Sequence, residues 1–144
     1  MGGRRKSREL ALQVLYQIDV SGECARDALD SFWHNFQGAI KSREFTEKLT
    51  EGACQHKGEI DSIIEKYSEN WRLSRMSRVD RNILRLASFE LFYCDDIPAK
   101  VTLNEAIDLG KKFGSEKSGS FINGILDRIS AGIEKDRDDS RERD

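Results

Sequence analysis

Proline occurs once and histidine twice in the 144 residues, cysteine occurs three times, and aromatic residues make up only 8% of the chain. Each scarcity removes a class of protein. Cys24, Cys54 and Cys94 are odd in number and far apart, with no CxxC spacing, so neither a disulfide framework nor a zinc site is expected and reduced, buried thiols are the default. His34 and His56 stand alone and no HExxH is present, which argues against a catalytic metal. Long apolar runs are also missing, and the basic N-terminus is not followed by the apolar segment and cleavage site of a signal peptide. A cytoplasmic protein without a cofactor is the expectation.

What the chain does contain is charge and helical periodicity. Charged residues make up 35% and hydrophobic residues 38%, enough for one core, and apolar positions recur at three and four rather than two. The formal net charge of -2 hides an uneven distribution, because the first eight residues carry four cations and no acid. From Glu134 onward there are six acids, four bases and no aromatic residue. Residues 1–8 are therefore expected to form a flexible basic arm, residues 9–133 an all-α domain, and residues 134–144 a disordered charged tail.

The spacing predicts seven helices, over residues 7–20, 24–36, 42–56, 57–70, 77–94, 102–113 and 118–133, with Gly22, Gly38, Gly58 and Gly114 at the joints. Leu10, Ala11, Val14 and Ile18 make the apolar face of the first, leaving Leu12, Gln13 and Tyr16 on another flank. The helix over 77–94 is apolar around most of its circumference, as a helix enclosed by others must be. Ser77 and Asp80 cap its start, and Thr102 with Glu105 reads as a capping box for the next one. Gly110 falls on an apolar face, where a close helix crossing compensates its cost of about 1 kcal/mol against alanine. Glu90 falls within an apolar face too, so it needs partners, and backbone N–H groups of the 98–102 turn are the expected ones.

Catalytic patterns are weak. The segment from Gly114 to Phe121 has the glycine spacing of a phosphate loop but no lysine after Gly119, and no Ser or Cys is set beside a base. Binding is better supported than catalysis. Arg4, Arg5, Lys6 and Arg8 can each neutralise a phosphate, and four such contacts with a single strand make affinity fall as roughly the third power of salt. Gln13 can read a base edge, and Tyr16 can stack on a base or pack on a neighbour. A second basic set, Arg72, Arg75, Arg78, Arg81 and Arg85, has Asp80 as its only acid. Lys100, Lys111, Lys112 and Lys117 add to the last third, with Phe121 and Asn123 near the start of the final helix, an end whose backbone N–H groups attract phosphate. Phe121 is open to two readings, core packing or base stacking.

Five motifs in fixed order make the chain resemble a known family. They are Arg8-x-Leu-Ala-Leu-Gln-Val-Leu-Tyr-Gln-x-Asp19, Asp80-Arg-x-Ile-Leu-Arg-Leu-Ala87 with Glu90, Pro98-x-x-Val101-x-Leu-Asn104-Glu105-Ala106, Lys112-Phe-Gly114, and Phe121-Ile-Asn-Gly-Ile-Leu-Asp127. This order closely resembles the NusB family of transcription antitermination factors, from about residue 4 to residue 133. The resemblance implies an all-helical fold of two helical subdomains. It also implies binding of the boxA element of ribosomal RNA leaders with NusE, the ribosomal protein that doubles as a transcription factor, and association with elongating RNA polymerase. By that likeness the arm, Gln13, Lys117, Phe121 and Asn123 are RNA-side residues, and Tyr16, Arg75 and Asp80 face NusE. Methyltransferases that carry such a helical module ahead of a catalytic domain are expected to be excluded by length. Two rivals stay open: a protein-interaction scaffold, and an accessory factor in ribosomal RNA processing without specific boxA binding. Both a monomer and a homodimer that hides the arm are compatible with the sequence.

Overall fold

The computed structural model describes residues 2–36, 43–69 and 71–143. Among them are seven α-helices and no strand: α1 (Gly2–Ser21), α2 (Ala25–Asn35), α3 (Arg43–Gln55), α4 (Lys57–Tyr67), α5 (Arg78–Tyr93), α6 (Ala99–Phe113) and α7 (Ser118–Arg143), with a short helical turn at Leu73–Arg75. Among the described residues no helix is long and apolar enough to cross a membrane. The expected joints at Gly38, Ser42 and Asn70 lie outside the described residues.

Helix α5 is the axis. Ten consecutive residues from Asn82 to Leu91 are buried, because α1, α3, α4, α6 and α7 all pack against this one helix. Its start is fixed as the sequence suggests, with Ser77 Oγ accepting from the Asp80 amide at 3.1 Å. Helices α1 to α3 form one group and α4 to α7 another, and the two share a continuous core through Leu49, Ile60, Ile83, Leu84, Ile122 and Leu126. Val14, Ala28 and Leu29 make a small satellite core between α1 and α2. Gly22, at φ +77°, adopts the left-handed conformation that closes α1, and its amide bonds the Ile18 carbonyl at 2.8 Å.

Two glycines let helices approach closely. A Cβ at Gly110 would stand 2.8 Å from Ile122 Cδ1 and 3.4 Å from the α7 backbone at Gly119, which is the tight crossing that its apolar-face position implies. A Cβ at Gly52 would overlap the Phe89 ring, so α3 lies against α5 only because that side chain is absent.

Four local expectations differ from the structure. Residues 2–8 are not a loose arm but the first two turns of α1, held by ion pairs to α5, α6 and the α5–α6 turn. The charged stretch after Ile133 continues α7 to Arg143; it has no glycine or proline, six of its ten residues from Glu134 to Arg143 are Glu, Lys or Arg, which favour helix, and Arg137 lies 3.4 Å from Asp95. The α6 start is at Pro98 rather than Thr102, so Thr102 is an interior helical residue with 1% exposure, not a cap. The α3–α4 joint is at His56, and Gly58 sits inside the first turn of α4.

Candidate nucleic-acid interface

The basic N-terminus is a helical surface with one internal member. Arg4, Arg5 and Lys6 have side chains 52%, 59% and 59% exposed. Arg4 reaches Asp96 at 3.3 Å and lies 4.8 Å above the Phe45 ring centre. Arg5 donates through Nε and Nη2 to Glu105 at 3.1 Å, and through Nη2 to Asp108 at 3.2 Å. Lys6 stands 3.9 Å from Glu9, which accepts from Lys112 Nζ at 2.7 Å. These exposed pairs are weak and screened by salt, so a polyanion can replace the carboxylates.

Arg8 is different and leaves the candidate phosphate set. It is 4% exposed, and its guanidinium forks onto Glu90, with Nε to Oε2 at 2.9 Å and Nη2 to Oε1 at 2.8 Å. Thr102 Oγ1 donates to the same carboxylate at 3.2 Å. Glu90 is therefore buried as its spacing implies, but its partners are Arg8 and a threonine hydroxyl rather than backbone amides. A charge-to-charge fork inside the core fixes α1 against α5 and α6 and orients the three exposed cations that precede it.

Further along α1, Gln13 is exposed and Tyr16 is 41% exposed, whereas Leu12 is buried at 5% and belongs to the core, not to the exposed flank. Gln13 lines a groove of about 370 Å³ between α1 and α2, together with Gln17, Phe32, Asn35 and Phe36. One turn past Tyr16, Asp19 accepts from Arg81 Nε at 2.7 Å and from Asn82 Nδ2 at 2.9 Å. Burial pushes the Asp19 carboxyl up, but the hydrogen bonds from Arg81 and Asn82 and the charges of Arg81 and Arg85 together hold it below its ordinary value. This contact brings the Tyr16 end of α1 to the start of α5, where Arg75 is exposed and Asp80 half-buried.

The second basic set divides in two. Arg81 and Arg85 are internal, Arg85 forking onto Asp61 at 2.8 and 3.1 Å, so they tie α1, α4 and α5 together rather than face a ligand. Arg72, Arg75 and Arg78 are exposed and make no ion pair among the described residues. Asp80 keeps one buried side-chain oxygen, Oδ1, without a hydrogen-bond partner among the described residues.

At the α6–α7 turn, Lys117 and Asn123 are exposed and Phe121 is partly buried against the main core. Lys117 directly precedes α7, its carbonyl accepting the Phe121 amide at 3.1 Å, while Asn123 points about 200° around the helix from Phe121. Both readings of Phe121 survive, since one side packs and another meets Trp71 edge-on at 5.7 Å between ring centres. The structure thus gathers Arg4, Arg5 and Lys6 beside α6, and Lys117 with Phe121 at the start of α7. Tyr16, Arg75 and Asp80 lie toward the opposite end of α1. Sequence reading missed Trp71, which is 52% exposed; the signal available was a tryptophan followed directly by an arginine in a connecting segment. It also took the thiols as buried, whereas Cys24 is exposed and only Cys94 is fully buried. No cluster of potential metal ligands occurs among the described residues.

The exposed cations, amides and aromatics are thus carried on an all-helical frame among the described residues. The model of the NusB family matches residues 5–131, and the chain belongs to that family. It is 52% identical over 139 residues to the transcription antitermination protein NusB of Syntrophus aciditrophicus, covering 96% of this chain and 86% of that protein. To the NusB of Myxococcus xanthus it is 49% identical over 139 residues, covering 94% and 99%. Among solved structures, T. maritima NusB superposes with a TM-score of 0.78 at 37% identity, covering 89% of this chain and 90% of the other. A crystal structure of antitermination factors NusB and NusE in complex with dsRNA superposes with a TM-score of 0.81 at 34% identity, covering 92% and 98%.

Proposed function

We propose that this chain is a transcription antitermination factor that acts without catalysis in the cytoplasm. It holds the boxA RNA of ribosomal RNA leaders jointly with NusE and, as part of that complex, joins elongating RNA polymerase. The observation that carries this reading is the exposed cationic face of the first α1 turns, Arg4, Arg5 and Lys6, held in one orientation by the buried Arg8–Glu90 pair. Family membership and the likeness to a NusB–NusE–RNA assembly support it.

The mechanism divides the work. Arg4, Arg5, Lys6 and Lys117 neutralise phosphates, which gives affinity without sequence preference. Gln13, Asn123 and the exposed edge of Phe121 meet unpaired bases, which is how proteins read single-stranded RNA. Tyr16, Arg75 and Asp80 form the NusE side, and NusE extends the surface along the same strand. A homodimer through either face would compete with RNA or NusE for these residues.

Titration of labelled boxA RNA tests the reading. Binding is expected to tighten when NusE is added and to weaken as salt rises. Absent or salt-independent binding, with and without NusE, sinks it.

A further inference from the structure

Trp71 is a large aromatic side chain in a connecting segment, and it has no place in the core. It is 52% exposed, yet it is not loose: its amide donates to the Ser68 carbonyl at 3.2 Å, and the buried Ser68 hydroxyl donates to the Trp71 carbonyl at 2.5 Å. The indole meets Phe121 at 5.7 Å and 74°, an edge-to-face contact on a side chain that stays half exposed. Phe121 lies one turn beyond Lys117, whose carbonyl accepts the Phe121 amide at 3.1 Å.

The charge around the indole identifies what fits it. The segment from Trp71 to Arg78 contains three arginines and no acid. Arg72, Arg75 and Arg78 are exposed and unpaired among the described residues. Among the other exposed arginines, Arg4, Arg5, Arg26, Arg43 and Arg137 each lie within 3.4 Å of a carboxylate of this chain, while Arg141 makes no ion pair among the described residues. Glu69, two residues before Trp71, lies 4.0 Å from Arg128. A fixed aromatic face flanked by uncompensated cations suits a ligand with flat rings and a polyanionic backbone, which is single-stranded nucleic acid.

We infer that Trp71 is a base-stacking residue for the bound RNA strand, with Arg72 and Lys117 taking the adjoining phosphates. This assignment rests on the reading that the chain binds single-stranded RNA, and it extends the contact region at the start of α7 onto the α4–α5 connection.

The probe is a boxA oligoribonucleotide, used single-stranded and annealed to its complement. The chain has two tryptophans, Trp33 and Trp71, so W33F leaves Trp71 as the sole indole reporter and W71F leaves Trp33. Single-stranded RNA is expected to quench the fluorescence of W33F and to leave that of W71F unchanged, while the duplex quenches neither. Trp71→Leu is expected to weaken single-strand binding by about fivefold or more, Trp71→Phe to retain most of it, and Arg72→Gln to lower the salt slope by about 0.7. If RNA binds W33F without quenching, or Trp71→Leu binds as tightly as the parent, the stacking assignment is wrong while the RNA-binding reading stands. If Trp71→Leu instead weakens only NusE binding, Trp71 belongs to the protein interface and the assignment is overturned. Should Trp71→Leu fail to fold, the quenching of W33F decides alone. A parent protein that binds no RNA removes the functional reading and this assignment with it.

Discussion

Arg8 and Glu90 have side chains only 4% and 2% exposed, and two buried charges so close are strongly coupled. The low dielectric that makes each ion expensive to bury also makes the loss of one partner expensive, because the survivor keeps its charge without an answer. Glu90→Gln is expected to cost about 3–5 kcal/mol, read as a lowered thermal midpoint, and the double replacement Arg8→Met with Glu90→Leu to cost less than either single change. An unchanged midpoint for Glu90→Gln would contradict the buried pair. At this scale the sequence was half legible. The position of Glu90 on an apolar helix face announced its burial, but its partner lies 82 residues away and local spacing carries no information about a contact at that separation. The same limit sent Arg8 to the phosphate set: nothing in a run of basic residues distinguishes the one that faces inward.

At the scale of elements, the helices were legible and their ends were not. Periodicity located all seven helices because each carries recurring apolar positions, whereas residues 2–9 of α1 and 134–143 of α7 contain no large apolar side chain and offer no stripe to read. Those ends are set by charge: cations at a helix N-terminus oppose the macrodipole, and Glu105, Asp108 and Asp96 compensate it across the helix pair. Thr102 with Glu105 matched a capping box by spacing, yet Pro98 starts α6 one turn earlier and both side chains serve long-range partners instead. Helix contacts are sharper than helix ends. Gly52 is where α3 meets α5, and the Phe89 ring that a new Cβ would strike is itself hemmed in by His56 and Tyr93, at 6.3 and 5.4 Å between ring centres. Gly52→Ala gains about 1 kcal/mol of helix propensity. Overpacking, typically about 1–3 kcal/mol and more where the neighbour cannot move, is expected to outweigh it. A lowered urea midpoint checks this, and a raised one would mean that α3 can shift.

Over the whole molecule, a formal net charge of -2 gives no general attraction to a polyanion, so RNA binding must come from local faces whose effects can be separated. Helix α1 separates them: from Arg5 to Tyr16 is eleven residues, about 16 Å at 1.5 Å per residue, with the cationic face at one end and the proposed NusE face at the other. Replacing Arg4, Arg5 and Lys6 by Ala is expected to weaken boxA binding and to reduce its log–log salt slope by about 2, since three single-strand contacts at about 0.7 each are lost, while NusE binding is unchanged. Tyr16→Ala with Asp80→Ala is expected to weaken NusE binding and to leave the salt slope for RNA alone where it was. Adding Arg8→Ala to the arm set is expected to lower the thermal midpoint without a proportionate further fall in slope, because Arg8 is spent on Glu90. If the folded arm variant lost RNA and NusE together, the two faces would be one surface, and the division of labour along α1 would have to be abandoned.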